Sequence, residues 1–210
     1  MRKLRTITGV LAIVFAALTV MSCKDNKKEH SNEDGHHTEA GHDHSDGHHN
    51  NDKTSIDTSR EIKENSQKNT TTSPIIDAYI QIKNGLVADS KEDAANGGTA
   101  LLEAFAKYDM TTLSGETHKE YMEIYESTKE NAEHIVKSPI DHQREHFEVL
   151  STDIDDLITL LGTEKTLYKD FCPMANNNKG AYWLSEVKEI KNPYFGAKMM
   201  KCGSVKKQIN

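Results

Sequence analysis

Cys172 and Met174 open, and Met199, Met200 and Cys202 close, a single stretch running from Phe171 to Val205. Two of the three cysteines, three of the seven methionines and the one tryptophan, Trp183, fall inside it, so its soft donors are concentrated rather than scattered. Thiolate and thioether sulfurs select Cu(I) over hard cations. Pro173 stiffens the step between Cys172 and Met174, and the turn N-P-Y-F-G at 192–196 would bring Met199, Met200 and Cys202 back toward Cys172. Three chemistries fit these residues. Cys172 and Cys202 could close a disulfide, worth typically ~2–4 kcal/mol. Cys172, Met174, Met199 and Cys202 could instead bind Cu(I) or Ag(I), completed by His142 or His146 if the segment packs near them. Cys172 could also act as a nucleophile, but no base and orienting group accompany it, and the chain is read as a non-enzyme. Methionine is in addition ordinary core filling, and Trp183 is read as core.

The histidines form two further groups. His142 and His146 stand four apart in D-H-Q-R-E-H-F, on one face of a helix, with His134 just across a Ser-Pro turn. Such a pair can chelate one ion, although exposed or capping histidines at this spacing are common. The second group is His30, His36, His37, His42, His44, His48 and His49, seven of the eleven histidines within twenty residues. Repeated G-H-x-H and G-H-H units interleaved with Asp and Glu bind Cu(II), Zn(II) or Ni(II) with little selectivity, because a floppy ligand set enforces no geometry. Binding there should fail in acid as imidazoles protonate near ~6.5.

Around these residues the chain divides into three parts. Residues 1–22 read as a secretory signal, with Arg2, Lys3 and Arg5 ahead of an apolar run too short for a comfortable membrane span. The run ends in V-M-S-C, which resembles the lipobox of bacterial lipoproteins and would make Cys23 the lipidated first residue. Losing the signal's three cations and no acids would take the formal charge from −7 to −10. An acidic chain with no basic stripe is a poor nucleic-acid binder. The expected location is the periplasmic side of the cell envelope, held to the membrane by lipid. An oxidising compartment also makes a disulfide the first expectation for Cys172 and Cys202.

Residues 23–73 have almost no apolar periodicity and read as a disordered, His-rich, metal-binding tether. Residues 74–210 read as the folded domain. Ser73-Pro74 is a helix start, and apolar stripes predict four helices. The first carries Ile75, Ile76, Tyr79, Ile80, Leu86 and Val87. The second starts near Asp89 or Ser90 and carries Leu101, Leu102, Phe105 and Tyr108, with Gly97-Gly98 weakening its middle. The third spans about 116–137, Ser138-Pro139 breaks the chain, and the fourth spans about 140–161 until Gly162 stops it. The predicted fold class is all-α, an antiparallel four-helix up-down bundle with a loop-rich C-terminal segment that has room for a small hairpin.

L-V-A-D in the first helix, H-Q-R-E-H-F-x-x-L-S in the fourth, then L-Y-x-x-F-C-P-M-A, K-G-A-Y-W-L-S, K-E-I-K-N-P-Y-F-G and M-x-x-C-G-S-V carry a resemblance. From Ile75 onward the chain resembles a bacterial secreted domain family of unknown function, number 3347, whose members stand alone or are fused to CusB-like copper/silver efflux adaptors. The resemblance implies heavy-metal handling in the periplasm, chiefly of copper, with Cys172, Met174 and Cys202 as metal contacts. It implies no reaction. The leading expectation is therefore a lipid-anchored metal-binding protein for tolerance, sequestration or hand-over to an efflux system. The alternative is an envelope interaction module with a Cys172–Cys202 disulfide and a histidine tail that only buffers Zn(II) or Ni(II).

Overall fold

Four long helices form in chain order because each presents one apolar stripe that the next can cover. The structure is a computed structural model that describes residues 60–62, 64 and 67–210. Cys23 and the seven tether histidines lie outside the described residues. Helix α1 (Ser73–Val87) has Pro74 in its first turn, where a missing N–H costs nothing. Its N-cap is Thr72 rather than Ser73; the Thr72 hydroxyl, fully buried, donates to the carbonyl of Gly162 at 3.0 Å. The start of α1 is thereby tied to the end of the fourth helix. Helix α2 (Lys91–Lys107) is capped by Ser90, whose hydroxyl accepts the Asp93 N–H. Helices α3 (Gly115–Lys137) and α4 (Ile140–Leu161) are joined only by Ser138-Pro139, and Gly162, at φ 79°, ends α4. Among the described residues no helix is long and apolar enough to cross a membrane.

The Gly97-Gly98 pair does not break α2. A Cβ on Gly97 would stand 2.6 Å from the backbone nitrogen of Ile82, and one on Gly98 would meet Val136 at 3.0 Å. The helix runs through because α1 and α3 press against it there, so missing side chains allow the close approach.

The expectation of an all-α fold is corrected at the C-terminus. Strands β1 (Leu167–Cys172), β2 (Ala181–Ser185) and β3 (Ser204–Ile209) form an antiparallel sheet in the order β2-β1-β3. A tight turn, Ala175–Asn178, in which Asn176, Asn177 and Asn178 all have positive φ, lies between β1 and β2. One residue, Tyr79 of α1, links the sheet to two helices at once. The Tyr79 ring stacks on Phe147 at 5.2 Å, its hydroxyl bonds Ser151 of α4 at 2.9 Å, and it accepts the N–H of Leu184 in β2 at 3.0 Å. Trp183 is fully buried, as read from the sequence.

The folded unit also starts ahead of residue 74. Arg60 reaches Asp153 and Asp156 of α4 at 2.8 and 2.9 Å, and the Asn69 amide donates to the Leu161 carbonyl.

Candidate metal centres

The short Ser-Pro link leaves the last turn of α3 beside the first turns of α4, and a buried amide fixes the junction. Gln143, with no exposed surface, donates to the Ile135 carbonyl at 2.7 Å and to the Lys91 carbonyl at 3.0 Å. One α3 carbonyl left without a helical partner is thus satisfied by α4. That junction brings His134, His142 and His146 together, each offering a ring nitrogen within 4.8 Å of the others. The His134 and His146 rings stack at 4.2 Å and 12°, while His142 stands edge-on to His146 at 4.5 Å. The Nε2 atoms of His142 and His146 are 3.1 Å apart. Outer partners hold both rings: His146 Nδ1 lies 2.9 Å from Asn131 Oδ1, and His142 Nδ1 lies 2.9 Å from Glu145 Oε2. Burial pushes the His146 imidazole down to about 4, and the neighbouring His134 and His142 add to the shift. At neutral pH His146 is therefore an uncharged nitrogen donor.

The sulfur residues assemble at the other end of β1. Cys172 is its last residue and fully buried, and Cys202 is half-buried two residues before β3. Their sulfurs are 3.0 Å apart. Asn192 makes this possible: its carboxamide oxygen accepts the N–H groups of Tyr194 and Phe195, and its amide donates to the Cys202 carbonyl at 2.7 Å. Gly203, at φ 143°, follows where a Cβ would strike Trp183 at 2.8 Å. The bond to Cys172 pushes the Cys202 thiol up. At a metal–sulfur distance of ~2.3 Å, two thiolates on one tetrahedral ion stand ~3.8 Å apart, so a small rotation of half-buried Cys202 separates the two geometries.

The methionines near this pair differ in exposure. Met174 is 47% exposed and lines an open groove of about 300 Å³ with Arg144, Glu148 and Tyr194. Met199 is half-buried, with its carbonyl accepting the Cys202 N–H. His142 and His146 group with His134 and not with the sulfurs. The C-terminal segment meets α4 at Arg144, Phe147 and Glu148, through the Pro193 carbonyl, the Tyr194 ring and Asn176. At 100° per residue those positions are centred roughly 170° around the helix from His142 and His146. The geometry makes two centres.

Several residues at these centres escaped the sequence reading. Asn131 and Glu145 sit three residues from His134 and His142, a spacing that marks helical neighbours. Asn192 was visible only as part of a turn. Asp170, two residues before Cys172 on the same inward face of β1, is fully buried with neither carboxylate oxygen hydrogen-bonded among the described residues. Burial pushes its carboxyl up to about 6, opposed by the Lys83 ammonium.

Residues 75–166 match the model of a family described as "Protein of unknown function (DUF3347)". Over that span, which covers the four helices and stops before the sulfur residues, the chain is similar to that family. No protein of curated function and no solved structure matches the chain.

Proposed function

We propose that this chain, similar over residues 75–166 to the DUF3347 family, is a heavy-metal-binding protein of the cell envelope, anchored by lipid on Cys23, that holds copper for tolerance, sequestration or hand-over to an efflux system. The observation that carries the reading is the 3.0 Å approach of two sulfurs thirty residues apart in sequence. On this reading Cys172 and Cys202 supply the thiolates for Cu(I). Met199, one turn away, and Met174, at the surface beside Cys172, are soft donors for ion entry or exit. The tether histidines capture Cu(II), Zn(II) or Ni(II). The chain acts by binding, and no residue is assigned a step in a reaction.

Anaerobic Cu(I) titration of the full chain against a competing chelator tests this. One tight equivalent should vanish in Cys172→Ser/Cys202→Ser, and its persistence there would sink the sulfur assignment. A second reading is favoured by the same distance and by the complete burial of Cys172: a disulfide that staples β3 to β1 in an envelope interaction module. A thiol count on protein purified without reductant separates them, two free thiols supporting the copper site and none the staple.

A further inference from the structure

We propose that His134, His142 and His146 form a second metal site, built for a borderline divalent ion such as Zn(II), that is independent of the sulfur pair. Both Nδ1 atoms of the close pair have assigned partners, and these partners fix the tautomers. The Asn131 amide nitrogen donates to the Ser127 carbonyl at 2.8 Å, so its oxygen is the atom that faces His146 Nδ1. An amide oxygen only accepts; His146 therefore carries its proton on Nδ1. Glu145, a carboxylate, likewise takes the Nδ1–H of His142. Both Nε2 atoms are then bare acceptors, and they face each other at 3.1 Å.

Two lone pairs at that distance repel unless a cation lies beside them. A metal ion satisfies both. With metal–nitrogen bonds of ~2.0–2.1 Å, two ligands of a tetrahedral ion stand ~3.4 Å apart, close to the spacing already present. His134, stacked on His146, brings the third nitrogen within 4.8 Å, a gap that ring rotation at an exposed side chain closes. Outer partners that orient ligating imidazoles are a recurrent feature of metal sites. Three nitrogens and no sulfur suit Zn(II) or Cu(II) better than Cu(I), and they leave a fourth position for water or an incoming ligand. This inference does not rest on the sulfur reading, since the two centres lie on different sides of α4.

The test is Zn(II) binding by the full chain with its seven tether histidines replaced by asparagine, in competition with a chromophoric chelator. One equivalent should bind, with proton-detected nitrogen spectra showing the shift at Nε2 of His142 and His146 and at one ring nitrogen of His134. His134→Ala/His142→Ala/His146→Ala should remove that equivalent while helical circular dichroism is kept. Asn131→Leu, which leaves all three ligands in place, should weaken binding ~10–100-fold. Cys172→Ser/Cys202→Ser should leave it unchanged. The proposal falls if the triple variant still binds its equivalent, or if the cysteine variant loses it. It also falls if the intact trio binds no Zn(II) and its spectra show a proton shared between the two Nε2 atoms instead.

Discussion

Asn192 is fully buried, and three backbone groups depend on its side chain: the N–H groups of Tyr194 and Phe195 and the carbonyl of Cys202. Truncation strands those groups where water cannot reach them, at ~1–3 kcal/mol for each orphaned group before relaxation. Asn192→Ala should therefore cost about 2–3 kcal/mol in urea unfolding. It should also free Cys202 from its place beside Cys172, read as faster alkylation of that thiol. An unchanged alkylation rate would mean that β3, not Asn192, sets the pair. Asp170 gives the opposite sign of effect. Its carboxyl titrates at about 6 in the fold against an ordinary value of 3.8, so the folded state binds this proton more tightly than the unfolded chain. The ionised form is the unfavourable one. Its cost is fully present above pH 6 and disappears as pH falls toward 4. Asp170→Asn should accordingly be more stable than the parent by about 1–3 kcal/mol at pH 8, with the gain gone near pH 4. Equal stability at pH 8 would show that the carboxylate is solvated through water.

At the scale of elements, Gly97 sets two effects against each other. Alanine would improve the helix by about 1 kcal/mol, yet its Cβ would stand 2.6 Å from the backbone nitrogen of Ile82. Backbone cannot swing aside as a side chain can, so overpacking of ~1–3 kcal/mol or more prevails. Gly97→Ala should lower Tm, and a rise would mean that α1 can shift away. The same contrast explains what the sequence makes legible. The four helices show in their apolar stripes because each keeps one face against its neighbours and one in water. The sheet does not. In β1 the inward positions include Asp170, and β3 has no fully buried residue, so neither strand alternates apolar with polar. These strands owe their form to tertiary support, with β1 paired on both sides and its Lys169 bonded to Asp155 of α4, which leaves no local pattern. The candidate metal centres were half legible. His142 and His146 follow from helical spacing and His134 from the shortness of the Ser-Pro link. The separation of the histidines from the sulfurs depends on which face of α4 the C-terminal segment covers.

At the scale of the molecule, the segment ahead of α1 is part of the fold, because Arg60 pairs with charges that α4 buries. Asp153 is 2% exposed, takes the Ser127 hydroxyl on one oxygen at 2.6 Å, and relies on Arg60 for the other. Burial raises the carboxyls of both Asp153 and Asp156 despite the guanidinium beside them. Without Arg60 the two carboxylates would face each other across one turn of helix, and their ionised forms would become costlier still. Arg60→Ala should thus cost about 2 kcal/mol at pH 7.5, discounted from the fully buried case because the arginine is 18% exposed. The loss should shrink as pH falls, since protonated carboxyls need no cation, and parent and variant should converge near pH 4. Arg60→Lys keeps the charge but replaces a planar fork by a point donor, so it should recover only part of the difference. Parallel urea titrations at the two pH values would decide it. A loss independent of pH would mean that Arg60 holds the segment by packing its stem rather than by its charge.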